Sequence, residues 1–184
     1  MSETTAVKKN DSGMAKLTIT LFAICAACAL VLGLANMLTG PAIAANQKAK
    51  TDAAMAAVLP ADSYDPVEYT GDDATIKSIN KAGDAGYVVE VAPPGSFSGT
   101  LTIMVGVAND GTVTGVEITK TAETSGLGAN AGKPQFKDQF AGLTGTAAVT
   151  KDGGTINAIT GATITSRAVC AGVNSAVAAA ASVG

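Results

Sequence analysis

No feature of this 184-residue chain restricts its fold more than residues 17–38, a run of 22 without one Asp, Glu, Lys or Arg. As an α-helix rising 1.5 Å per residue the run is about 33 Å long, enough for a hydrocarbon core of roughly 30 Å. A transmembrane helix is therefore expected here. The mean hydropathy of +0.32 and the 15% share of charged residues agree with a chain that meets a membrane.

Lys8, Lys9 and Lys16 precede the run, and the next basic residues are Lys48 and Lys50. That asymmetry favours a cytoplasmic N-terminus and an extracytoplasmic C-terminal part, single-pass in the cell membrane. The expected organisation is a cytoplasmic tail over residues 1–16, the membrane helix over 17–38, an Ala-rich helical stalk over 39–60 closed by Pro60, and an extracytoplasmic domain over 61–184. A signal peptide cleaved near Ala42-Ile43-Ala44 would need an apolar region far longer than the usual 7–15 residues. Neither Cys25 nor Cys28 follows a lipobox. An uncleaved anchor is the expectation. Cys25 and Cys28 share a helix face, where they suit either packing against a neighbouring helix or half of an intramembrane metal site. Cys170, among Val169, Val173 and Val177, is expected as an inert buried thiol.

From Thr75 onward the apolar period is two. Strands are expected around 76–79, 87–91, 101–107 and 112–118, the last two joined by an Asn109-Asp110-Gly111 hairpin turn. Residues 93–99 form a Pro/Gly loop, and residues 123–128 a second glycine-rich loop without dinucleotide or Walker spacing. Phe136 and Phe140, at i and i+4, fit a short helix anchored in the core. Residues 147–150 and 154–159 are expected to complete the sheet. A helix over 168–183 ends the domain.

The turn before that helix carries Thr160, Thr163, Thr165 and Ser166 around Gly161-Ala162. Hydroxyls at a helix start either cap its free N–H groups or frame an anion site there. The rest of the composition excludes much chemistry. Without His there is no His-ligated haem and none of the commonest zinc or acid–base sites. A net charge of −3 leaves no basic footprint, so no nucleic acid is expected as a partner.

Thr160-Gly161-Ala162-Thr163 resembles the Ser/Thr-Gly-Ala-Thr signature of the FMN-binding domain family. Asn157-Ala158 and Thr165-Ser166-Arg167 fit its flanks. Upstream, Gly86-Tyr87, the loop of Gly95 to Gly99, Met104-Val105-Gly106, the Glu123 to Gly128 loop and the Phe136 to Phe140 segment follow the family's order. The resemblance covers residues 53–183, and with one N-terminal membrane helix the whole resembles the G-subunit family of Rnf complexes. The C-type flavoprotein of the sodium-pumping quinone reductase is related but larger. Ser125 stands where the family has Pro, and Ala122 where a polar residue is common.

The resemblance implies an α+β fold: one transmembrane helix, then a domain with a twisted, mainly antiparallel sheet flanked by helices. It implies covalent FMN, joined through a phosphoester to Thr163. Thr160, Gly161, Ala162 and Thr165 would shape the phosphate end. Glu123, Thr124, Gly126, Leu127 and Gly128 would lie near the isoalloxazine ring. The role implied is an electron-transfer subunit of an ion-translocating ferredoxin:NAD⁺ oxidoreductase, without a complete active site of its own. Its partners would be the A, B, C, D and E members of an Rnf complex, a flavin transferase for maturation, and membrane lipid. The coupling ion depends on those other members. A free-standing flavinylated carrier and a non-redox domain that kept the fold are the alternatives.

Overall fold

A computed structural model describes residues 11–184. Helix α1 covers Asp11–Val58, with Pro41 inside it. It therefore begins within the segment expected as a polar tail, most of which lies outside the described residues. Its apolar window has a mean hydropathy of 2.5 and none of it is buried within the protein, as a lipid-facing helix requires. Cys25 and Cys28 are both exposed on it. Two compact units divide after Lys48. Residues 49–58, expected as the far end of a stalk, belong to the second, globular unit.

The globular unit is a five-stranded antiparallel meander in which every neighbour in sequence is a neighbour in space. The strands are β1 (Asp65–Val67), β2 (Ile76–Ala82), β3 (Gly86–Val91), β4 (Leu101–Ala108) and β5 (Val113–Thr121). Apolar residues occur on both faces of β3 and β4 because both faces are covered. On one, Ile79, Val89, Val91, Ile103, Val105 and Val107 pack with the long C-terminal helix. On the other, Val88 and Met104 meet Ala54, Met55, Val58 and Leu59 from the end of α1.

That second contact depends on glycine. Gly106 of β4 pairs with Gly115 of β5. A Cβ on Gly106 would stand 2.5 Å from the Val58 carbonyl oxygen, and one on Gly115 would stand 3.3 Å from it. The paired glycines form a slot that receives the last turn of α1. Thr114 Oγ1 donates to the Val58 carbonyl at 2.5 Å, and Tyr64 Oη donates to the Leu59 carbonyl at 2.8 Å. These bonds satisfy carbonyls that a helix end otherwise leaves orphaned.

The hairpin is where the sequence places it. Gly111 has φ 83°, Gly111 N–H donates to Ala108 O at 2.9 Å, and Ala108 N–H to Thr112 O at 2.9 Å. Phe136 and Phe140 are buried with rings edge-on at 5.5 Å. They span α2 (Pro134–Lys137) and the 3₁₀ turn Asp138–Phe140 that follows.

Three expectations are corrected. Residues 61–73, whose Asp62, Ser63, Asp65 and Pro66 are turn formers and which are expected from the sequence to open the domain without a strand, contain β1. It survives because it is an edge strand, where proline's missing N–H costs no ladder bond. Residues 147–150 and 154–159 do not complete the sheet. They meet each other through one isolated parallel bridge, Val149 to Ile156. Gly153, with φ 85°, and the 3₁₀ turn Thr150–Asp152 double the chain back too tightly for a ladder. The final helix, α3, covers Thr163–Val183 and so starts five residues earlier than expected, inside the hydroxyl motif.

Candidate functional site

The site lies where three segments meet: the loop after β3, the loop after β5, and the first turn of α3. Residues 157–162 are held by side chains that act as backbone substitutes. Gln139 Oε1 accepts from Asn157 N–H at 2.8 Å while its amide donates to Asn157 O at 3.3 Å. Asn174 of α3 does the same for Ala147, with bonds of 2.7 and 3.0 Å. Irregular backbone thus gains the pairing a sheet would have given it.

At the motif, Gly161 adopts φ 77°, the left-handed region that favours glycine, and Ala162 takes the N-cap position of α3. No side chain caps this helix. Two of the hydroxyls that suggest capping, those of Thr165 and Ser166, are engaged elsewhere. Ser166 Oγ donates to Ala162 O at 2.9 Å and accepts from Ile159 N–H at 3.0 Å, bracing the turn against the helix. Thr165 is buried, and its Oγ1 donates to Glu123 Oε2 at 2.7 Å. Thr163 is the first helical residue and is half-exposed. The result is a helix of 21 residues whose leading N–H groups and dipole are left available to an anion.

Glu123 is the second structural centre. Read bare, it suggests an exposed loop carboxylate; it is 7% exposed. Its Oε1 accepts from Ser98 N–H at 3.0 Å and Ser98 Oγ at 2.9 Å. Burial pushes the carboxyl up, but the hydrogen bonds from Ser98 and Thr165 outweigh it and hold the group below its ordinary 4.5. Ser96 faces this carboxylate closely enough to help keep it ionised, yet its Oγ has no partner of proper geometry. It is the one such buried side-chain atom among the described residues. Gly128 lies under the carboxylate. A Cβ there would come within 2.7 Å of Thr165 Oγ1 and nearer still to Glu123 Oε2. The glycine is required by this hydrogen bond, since its backbone needs no left-handed angle.

These segments wall a cleft of about 460 Å³. Of the residues expected to bind a cofactor, Thr163, Gly161, Ala162, Thr165, Glu123, Thr124, Leu127 and Gly128 line it. Thr160 and Gly126 do not. Gly126, with φ 78°, makes the tip of its loop, and its carbonyl accepts from the Asn130 amide at 2.8 Å. The loop packs directly on the motif: a Cβ on Gly161 would stand 3.0 Å from Leu127 Cδ2.

Phe97, Lys151 and Ile164 also line the cleft, and the sequence motifs do not single them out. For Phe97 the available signal is an aromatic side chain inside a Pro/Gly loop. Lys151 is set in place by its neighbour: Arg167 Nε and Nη2 donate to Asp152 at 2.7 and 2.6 Å, a bidentate pair joining the 3₁₀ turn to α3. That pairing lowers the Asp152 carboxyl and raises the Arg167 guanidinium from their ordinary values. Cys170 is buried one turn further along α3. Burial, with Asp152 nearby, raises its thiol to about 11, so it stays protonated and inert.

The arrangement offers a hydroxyl at an uncapped helix start, one lysine, an apolar rim and an ionised carboxylate beneath the floor. It suits a ligand with a phosphate at one end and an apolar ring at the other. A model of the FMN-binding domain family matches residues 96–178. The chain is 35% identical to the G subunit of the ion-translocating oxidoreductase complex of Methanosarcina acetivorans, the match covering 88% of this chain and 92% of that one. It is 34% identical to the G subunit of the Na⁺-translocating ferredoxin:NAD⁺ oxidoreductase complex of Acetobacterium woodii, over 86% and 87% of the two chains. It is also 33% identical, over 94% of each, to the G subunit of the proton-translocating ferredoxin:NAD⁺ oxidoreductase complex of Clostridium ljungdahlii.

Proposed function

The chain belongs to the family of G subunits of ion-translocating oxidoreductase complexes, and from that premise we propose that it is a membrane-anchored electron-transfer protein of such a complex, with FMN bonded to Thr163. The observation that carries the proposal is the uncapped start of α3, with the Thr163 hydroxyl in the cleft at its first position. When bound, FMN supplies the capacity to take up and release electrons. The chain's own residues hold, orient and shield it.

Attachment forms an ester bond between Thr163 Oγ1 and the phosphorus of a flavin nucleotide activated as a phosphoanhydride. The anhydride P–O bond would break, the non-flavin half would leave as its nucleoside monophosphate, and the hydroxyl proton would pass to a flavin transferase or to solvent. The phosphodiester left behind keeps one negative charge. The free N–H groups at the start of α3 favour that charge, and Lys151 stands on the same cleft. Thr165 supports the reading by exclusion, because its hydroxyl is buried and committed to Glu123.

Residues 17–38 would tether the domain to the membrane that holds the partner proteins. Ferredoxin and NAD⁺ are named for the complexes of two relatives, and the same electron path is proposed here. The test is in-gel fluorescence of the denatured full-length chain after coexpression with a flavin transferase. The wild type should give a fluorescent band and Thr163→Ala should give none. A wild-type chain without fluorescence refutes the proposal.

A further inference from the structure

We propose that Phe97 is the aromatic wall of the cleft and covers one face of the flavin ring carried on Thr163, with Glu123 as the residue that positions it; this rests on the function proposed above. The primary observation concerns exposure. Among the described residues of the globular unit, the exposed large hydrophobic side chains are Phe97 at 71%, Ile164 at 53% and Leu127 at 43%. All three line the cleft that contains Thr163. Single exposed apolar residues are ordinary, but three converging on one cleft mark a surface that a ligand covers.

Geometry selects Phe97 as the ring contact. It is the one aromatic side chain on the cleft, and its loop has glycines at φ 81° (Gly95) and φ 69° (Gly99) on either side. Such a loop would swing freely were it not pinned. The pin is Ser98, the next residue, whose N–H and Oγ both donate to Glu123 Oε1. The other oxygen of the same carboxylate accepts from Thr165, two residues beyond Thr163. One carboxylate therefore fixes the aromatic loop and the attachment helix in a common frame. A cleft of about 460 Å³ lies in the range that encloses a small planar ligand. Offset aromatic stacking shifts a docked-to-free ratio by about two- to tenfold beyond area burial.

The experiment uses the full-length, flavin-loaded chain in detergent and measures collisional quenching of flavin fluorescence by iodide. In the flavin-free chain Phe97→Ala should keep the wild-type melting temperature, because the side chain is 71% exposed there and supports nothing in the fold. Its quenching constant, normalised to loaded protein, should rise by about two- to tenfold. Phe97→Tyr should restore the low value, and Glu123→Gln should raise quenching with Phe97 still present. Equal quenching in wild type and Phe97→Ala overturns the proposal. So does a variant whose only change is weaker association with partner membrane proteins, which would make the rim a docking face. A wild-type chain carrying no flavin on Thr163 removes the underlying reading as well, and so differs from either result.

Discussion

Gly128→Ala should destabilise the globular unit far more than a single methyl group suggests. The new Cβ would stand 2.7 Å from Thr165 Oγ1 and closer to Glu123 Oε2, inside the 2.7 Å hydrogen bond that joins them. Either the first turn of α3 retreats or that bond breaks. Losing a hydrogen bond to a charged group costs about 1.5–3 kcal/mol. Overpacking a closed site costs about 1–3 kcal/mol. Because the two overlap, we expect about 3 kcal/mol, a fall of roughly 10 °C in melting temperature for a chain of this size. Gly132→Ala is the control, since the nearest atom to its Cβ would be Ile118 Cβ at 4.0 Å. Thermal denaturation followed by circular dichroism on the apo chain reads both. The cost should also couple to Thr165: in Gly128→Ala with Thr165→Ala the penalties should fall short of additive by about 1 kcal/mol or more. A Gly128→Ala chain within about 0.5 kcal/mol of wild type would refute the reasoning.

Acid stability should depend on Glu123. Its folded carboxyl titrates below the ordinary 4.5, so it contributes stability that is complete above that value and is lost as pH falls through the folded value. Urea midpoints measured across this acid range should fall with pH, and Glu123→Gln should flatten that limb; an unchanged slope would contradict the assignment. At the other face, Thr114→Val should cost about 1 kcal/mol through the lost bond to Val58, whereas Gly106→Ala, which drives a Cβ into the same backbone, should cost about 3 kcal/mol. Equal costs by urea titration would mean that the glycine slot does not seat α1. Protease added to intact spheroplasts should degrade the globular unit, as the lysines on the N-terminal side of residues 17–38 lead one to expect; protection would reverse that orientation.

What the sequence makes legible here is local. The uncharged run, the Asn109-Asp110-Gly111 turn between alternating strands and the Phe136–Phe140 pair are signals within a few residues, and the structure has all three. The failures arise where distant residues decide. Alternation over 147–159 resembles two more strands, but Gly153 and a 3₁₀ turn fold the segment back on itself. Thr165 and Ser166 look like caps because capping is what hydroxyls do when nothing better is near. Glu123 lies 42 residues from Thr165 in sequence and Ser98 lies 25 from Glu123, so neither pairing has a local signature. The resemblance identified eight of the cleft's lining residues and missed Phe97, Lys151 and Ile164, which are not among its motif residues.

The central claim, that Thr163 carries the flavin, is tested most directly by peptide mass spectrometry on the tryptic fragment of residues 152–167, bounded by Lys151 and Arg167. After coexpression with a flavin transferase the fragment should gain the mass of FMN less one water, with fragmentation placing it on Thr163. An unmodified fragment, or the mass on Thr160 or Thr165, would contradict the account.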